Sequence, residues 1–272
     1  MSSELVSEDL LTQRARTIWS AADFLPIARS FAAGAQAFVA RLALARGEPV
    51  LDVACGTGNL ALPAARAGAR VTGIDIAPNL IAHARAEALS AGLSIRYDLG
   101  DAEDLPYEEG EFDTTVSMFG MMFCYRPERA TDELLRVTMP GGRIALATWT
   151  PEGFVGEMLR AHTAVVAPPP GVPSPLLWGV ESVVQERFGA RVRALDCTRR
   201  TLELRFALPP AQVTELFATC YGPTVAALKV AGREGAAELR ASLTRLFSEH
   251  NSATDGGTVI VAEYLDVQAR VA

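Results

Sequence analysis

The chain is nearly devoid of lysine. Lys229 stands alone, so the other 24 of the 25 cationic residues are arginine, scattered instead of grouped. Set against 32 acids they leave a net charge of -7. That balance argues against a nucleic-acid substrate, because phosphate binding needs concentrated positive charge. Cysteine is scarce as well. Cys55, Cys124, Cys197 and Cys220 lie far apart with no C-x-x-C pair, so they read as reduced thiols, not as a disulfide framework or a metal site. No apolar run approaches the roughly 18 to 20 residues that span a bilayer. The opening segment, Met1 to Asp9, is acidic and lacks the basic-then-apolar order of a secretion signal. These absences point to a cytoplasmic protein with no membrane partner and no bound metal. Histidine is limited to His83, His162 and His250, and no Ser-His-Asp or Cys-His arrangement is legible. Internal repeats and low-complexity tails are also missing.

What is present is an ordinary globular composition, 49% hydrophobic and 21% charged, over 272 residues, a length that one α/β domain can occupy. The most informative stretch is Val50-Leu51-Asp52-Val53-Ala54-Cys55-Gly56-Thr57-Gly58-Asn59-Leu60. It reads as a buried strand, a glycine-rich turn and the start of a helix. Gly56 and Gly58 carry no Cβ, so the turn can be tight and a ligand can lie against the backbone. The helix beyond points unpaired N–H groups at whatever sits there. Asp75 ends the next apolar run, 17 residues after Gly58. Glycines under a ligand and a carboxylate placed for ribose hydroxyls describe a nucleoside site. Two cofactor classes use that logic. Gly56 to Ala61 matches the dinucleotide pattern G-x-G-x-x-G/A, but the carboxylate inside the strand, Asp52, suits a ligand bearing an amino group better than one bearing a pyrophosphate.

The arrangement resembles the first signature of class I S-adenosylmethionine-dependent methyltransferases, with Ala54 where that family usually has glycine. The resemblance continues in order. Asp75-Ile76 matches the family's ribose-binding acid and the apolar residue that packs on adenine. Gly100 to Pro106 matches the turn after the third strand, where Asp101 and the Ala102 amide meet the adenine edge. Glu111 to Ser117 looks like the fourth strand, whose end passes the reacting methyl, and Leu134 to Leu146 like the helix, turn and fifth strand that follow. The resemblance implies S-adenosylmethionine as cofactor and S-adenosylhomocysteine as product, held by Asp52, Ala54, Gly56, Gly58, Asp75, Ile76, Asp101, Ala102 and Ser117.

The expected fold is α/β: a Rossmann-like, doubly wound, seven-stranded sheet, mostly parallel with one antiparallel strand. A single domain is expected over 1–272. Residues 1–46 have helical periodicity and form an N-terminal cap, divided near Asp23 and Pro26. Residues 47–150 alternate strand and helix and form the cofactor-binding core. Residues 151–257 supply a helical and proline-rich lid on the substrate side, with five prolines between Pro168 and Pro175. Two short strands are expected there, at Val192–Leu195 and Thr201–Phe206. Residues 258–272 hold the final strand.

Methyl transfer needs in-line placement of a nucleophile more than covalent help. His162 and His250 are the candidates for a general base, although a lone histidine is more often structural. Trp19 and Phe24 from the cap, Met118 and Met121 after the fourth strand, and Trp149 and Trp178 beside the lid are candidate substrate contacts. With Tyr125 and Tyr221 they suggest a small apolar or aromatic acceptor, methylated at oxygen or nitrogen. Two alternatives stay open: a nicotinamide-dependent oxidoreductase, and a protein that binds the cofactor without transferring methyl. Oligomeric state is not legible.

Overall fold

The computed structural model describes residues 2–272, with side chains from Leu10 onward, and its alternating segments build one seven-stranded sheet. The strands are β1 (Pro49–Val53), β2 (Arg70–Asp75), β3 (Arg96–Leu99), β4 (Phe112–Met118), β5 (Thr138–Trp149), β6 (Val192–Phe206) and β7 (Thr258–Val271). They lie in the order β3-β2-β1-β4-β5-β7-β6, with β7 antiparallel to both its neighbours and the rest parallel. This is the expected sheet with one reversed strand. Val50 to Val53 are buried without alternation, as a central parallel strand covered on both faces requires. From β1 the chain runs outward to β3, then returns to β4 on the other side. Strand order therefore reverses between β1 and β4, and a crevice opens at their carboxyl ends.

Three helices precede the sheet: α1 (Ser2–Ser20), α2 (Leu25–Ser30) and α3 (Ala32–Leu42). The division falls where the sequence places it. Asp23 accepts the Leu25 N–H at 3.0 Å, and Pro26 sits in the first turn of α2, where no N–H is needed. Within the core, α4 (Ala61–Arg66) packs on β2, α5 (Pro78–Ser90) on β2 and β3, and α6 (Pro127–Val137) on β4 and β5. After β5 come α7 (Phe154–Val165), α8 (Glu181–Phe188), α9 (Pro210–Cys220), α10 (Gly222–Val230) and α11 (Gly232–Glu249). Helix α1 packs on α10, α2 on α9 and β6, and α11 on α7 and α9. Cap and lid, remote in sequence, thus join in one helical assembly. Gly222 allows the closest approach, since a Cβ there would lie 2.3 Å from the Ile18 carbonyl oxygen.

Two expectations need correction. The segments 192–195 and 201–206 are not separate strands but one continuous strand, β6, paired with β7 along nearly its whole length. As the sheet's edge strand it exposes much of both faces, so its middle carries polar residues without losing the backbone ladder. The proline-rich stretch is irregular over 166–174, but a short 3-10 helix (Pro175–Gly179) and α8 follow at once, and neither was expected. Among the described residues no helix is long and apolar enough to cross a membrane.

Candidate active site

The turn after β1 places Ala54, Gly56 and Gly58 at φ 53°, 54° and 89°, the left-handed region that side chains disfavour. The two glycines answer different needs. A Cβ at Gly58 would strike the Tyr97 hydroxyl at 2.6 Å, whereas one at Gly56 would meet nothing within 4 Å. Gly58 is required by packing, and Gly56 borders open space. Ala54 keeps its methyl because the next turn gives way. A Cβ at Gly120 would lie 2.6 Å from that of Ala54 and 2.4 Å from its carbonyl oxygen. The residue before it, Phe119, is itself left-handed at φ 61°.

Around these turns lies a cavity with about 1310 Å³ of non-protein space, its mouth included. One end is acidic. The Asp75 carboxylate accepts the Gly56 N–H at 2.8 Å and the Ala77 N–H at 2.9 Å, and burial pushes its pKa up to about 6 despite those donors. Asp101 accepts the Glu103 N–H and the Thr12 hydroxyl, each at 2.9 Å, so α1 reaches over the loop after β3. Glu103 is held by the Arg126 guanidinium and backbone N–H. Thr57 also lines the cavity, 3% exposed, and its hydroxyl has no partner.

The other end is a wall of aromatic rings. Phe123, Trp19, Tyr221 and Phe24 make successive contacts with centroids 5.1, 6.0 and 6.2 Å apart. Phe24 meets Phe31 at 6.4 Å, Phe31 meets Phe119 at 5.7 Å, and Phe119 stacks on Trp149 at 3.5 Å. These rings come from α1, the α1–α2 and α2–α3 links, the segment after β4, the end of β5 and the α9–α10 junction.

Of the residues singled out in the sequence, Ala54, Gly56, Asp75, Ile76, Asp101, Ala102, Trp19, Phe24, Met118, Tyr125, Trp149 and Tyr221 line this cavity. Asp52, Gly58, Ser117, Met121 and Trp178 do not. Asp52 is 2% exposed and accepts the Ala61 N–H at 3.0 Å, which fastens the start of α4 to β1. Its pKa is raised well above the usual range by burial, a poor setting for a direct ion pair with a ligand. Ser117 donates to the Val53 carbonyl at 2.7 Å and accepts the Met121 N–H at 3.1 Å, a splice between the two turns. Met121 is core, and Trp178 is buried under the Arg187 guanidinium, 4.4 Å from its ring centroid.

Both histidines are also elsewhere. His162 Nδ1 lies 2.7 Å from the Met158 carbonyl and must carry the proton, so Nε2 accepts from the Thr224 hydroxyl at 2.7 Å. Burial lowers its pKa and keeps it neutral. His250 faces Glu157 at 3.3 Å, outside the cavity lining. Neither lines the cavity. Thr57 and Phe119 went unmarked in the sequence, although both sit inside segments that were. Thr12 carried no signal. Among the described residues no cluster suited to a metal ion occurs.

Comparison with known proteins follows the same outline. A family model described as a methyltransferase domain matches residues 50–142, from β1 to the start of β5. An uncharacterized protein of Mycobacterium tuberculosis (strain ATCC 25618 / H37Rv) is 38% identical over 262 residues, 94% of this chain and 93% of its own. The demethylmenaquinone methyltransferase of Thermus thermophilus is 39% identical over 123 residues, 44% of this chain and 56% of that protein. Among solved structures, the YcgJ protein of Bacillus subtilis aligns with a TM-score of 0.59 at 18% identity, over 88% of this chain and 98% of its own, a likeness of fold.

Proposed function

The chain belongs to the class I S-adenosylmethionine-dependent methyltransferases, and from that premise we propose that it methylates an oxygen or nitrogen of a small apolar or aromatic molecule. The glycine pattern at 56–61 is then part of an S-adenosylmethionine site, and the nicotinamide alternative falls away. The observation that carries the acceptor class is the aromatic wall, which meets the acidic, nucleoside-type end of the same cavity.

The residues suit the cofactor. A Cβ at Gly56 would enter the open space, so the bare backbone forms a cradle. The orphaned Thr57 hydroxyl is a buried group in want of a partner, and the amino-acid end of the cofactor carries both donors and acceptors for it. Asp75 is positioned to accept from ribose hydroxyls, and Asp101 with the Ala102 backbone to meet the adenine edge. Asp52 acts behind them, holding β1 and α4 in register. When bound, the cofactor would supply a methyl already activated on a sulfonium, passed to the acceptor's lone pair as the carbon–sulfur bond breaks, with the acceptor's proton leaving to solvent. The protein's part is to orient and to exclude water. Helices α1, α2, α7 and α9 line the crevice, and the aromatic wall fixes a flat acceptor by area and shape.

The test offers hydrophobic phenols and arylamines, with sugars, amino acids and short peptides as comparison, and measures S-adenosylhomocysteine against methylated product. Turnover confined to the aromatic set supports the reading. Turnover confined to the polar set, or product-free cofactor binding with every aromatic, overturns it.

A further inference from the structure

Among the described residues the aromatic wall holds three polar groups that the protein does not use, the indole N–H groups of Trp19 and Trp149 and the hydroxyl of Tyr221. Tyr221 sits between α9 and α10, 6% exposed, and lines the cavity. Its ring touches Trp19, Phe24 and Phe217, and its hydroxyl makes no hydrogen bond with any described residue. The other tyrosines differ. Tyr107 donates to Asp98, Tyr264 accepts from Arg41, and the Arg14 cation acts on Tyr125. Tyr97 is also unpartnered but lies outside the cavity lining, against Gly58. The neighbouring polar ring cannot serve Tyr221, because both nitrogens of His162 are committed.

The ring that carries this hydroxyl lines the cavity, so a ligand there can supply the partner that the protein does not. We propose that the Tyr221 hydroxyl is the polar anchor of the acceptor site, donating to the oxygen of a flat hydroxyarene held between the rings of the wall. This rests on the methyltransferase reading and narrows its acceptor class. Burial raises the pKa of Tyr221, so the phenol stays protonated at neutral pH and offers a donor. Its complement is an acceptor atom, such as a phenol or phenolate oxygen.

The experiment titrates the full chain, saturated with S-adenosylhomocysteine, with 2-naphthol and with naphthalene, and repeats both with Tyr221→Phe. The variant should lose about fivefold in 2-naphthol affinity, the worth of one neutral hydrogen bond, and none in naphthalene affinity. A merely structural role would move both ligands together, and that result overturns the proposal. So does unchanged 2-naphthol affinity, or failure of the wild type to bind either arene. Tyr221→Phe breaks no internal bond, so its thermal midpoint should be unchanged or higher, and the comparison stays interpretable. Binding of S-adenosylhomocysteine is measured first and separately. If it fails, the methyltransferase reading fails with it, while arene titration of the unloaded protein still reports on the anchor.

Discussion

Asp75 carries a charge that the ligand-free protein holds at a loss. Burial outweighs the N–H groups of Gly56, Ile76 and Ala77 and pushes its pKa from 3.8 to about 6. Between those values the folded state binds more protons than the unfolded one. Stability from this group therefore falls as pH rises from 3.8, and the loss is complete above about 6. At about 1.4 kcal/mol per pH unit the separation comes to about 3 kcal/mol, of which about 1.4 kcal/mol develops between pH 5 and pH 7.5. Asp75→Asn removes the titration. It also turns an amide NH₂ toward one of the N–H donors, a cost of about 1–3 kcal/mol that does not vary with pH. The stability difference between the two proteins, from urea unfolding at pH 5 and pH 7.5, should thus shift by about 1.4 kcal/mol in the variant's favour. Asp52 also titrates, and because the Asp75 charge helps to raise its pKa, Asp75→Asn lowers it somewhat, which adds to the shift in the variant's favour. Cofactor binding should show the opposite preference. Hydroxyl donors from the ribose favour the ionised carboxylate, so S-adenosylhomocysteine affinity should rise toward tenfold per pH unit below 6 and level above it. Asp75→Asn should bind weakly at every pH. Parallel stability profiles, or full affinity in the variant, would refute the reasoning.

Other substitutions probe the supports of the site. Gly120→Ala drives a methyl into Ala54 and should cost about 1–3 kcal/mol in thermal or urea unfolding; adding Ala54→Gly should recover part of it, because the clash with the carbonyl oxygen remains. Gly222→Ala must push α1 from α10, so limited proteolysis between α1 and α2 should quicken and S-adenosylhomocysteine affinity fall together. An unchanged cleavage rate would show that the cap does not depend on this contact. Asp266, 3% exposed, accepts from Arg41 at 2.8 Å and Arg200 at 2.9 Å, tying α3 to the β6–β7 edge. Asp266→Asn should cost about 2 kcal/mol, less than a wholly buried pair because both arginines are partly exposed. A loss under about 0.5 kcal/mol would mean that water serves the arginines as well.

The sheet and the cofactor end of the site were legible because their signals are local. A tight turn that a ligand touches needs particular residues at fixed spacing, and Gly56 and Asp75 sit where that spacing puts them. The same locality leaves two other positions ambiguous. Asp52 and Ser117 fall at strand ends like true ligand contacts, yet each spends its hydrogen bonds on the backbone of the adjoining element, Ala61 and Val53. Nothing in the residue types separates a carboxylate facing a cavity from one facing a helix start. The acceptor end was legible only as a composition. Its rings come from segments between Trp19 and Tyr221, and each on its own is an ordinary core residue. Trp178 and Met121 show how that ambiguity resolves the other way.

What the sequence could not display is where the fold tolerates discomfort. Among the described residues three other than glycine are left-handed: Ala43, Ala54 and Phe119. Ala43 ends α3 as its C-cap, a local solution that needs no further cause. Ala54 and Phe119 have no such excuse, and both line the cavity. So do the charged, desolvated Asp75, the orphaned Thr57 hydroxyl and the unused hydroxyl of Tyr221. None of these marks is decisive alone, since Tyr97 and Trp178 also hold unpartnered buried atoms away from the cavity. Their meeting on one surface is harder to explain by packing. Strain and unmet polar groups persist only where surrounding structure enforces them, and here they border one cavity. Binding at that surface should therefore stabilise the fold at both ends of the cavity. The cofactor would relieve Thr57 and Asp75, and the acceptor would relieve Tyr221.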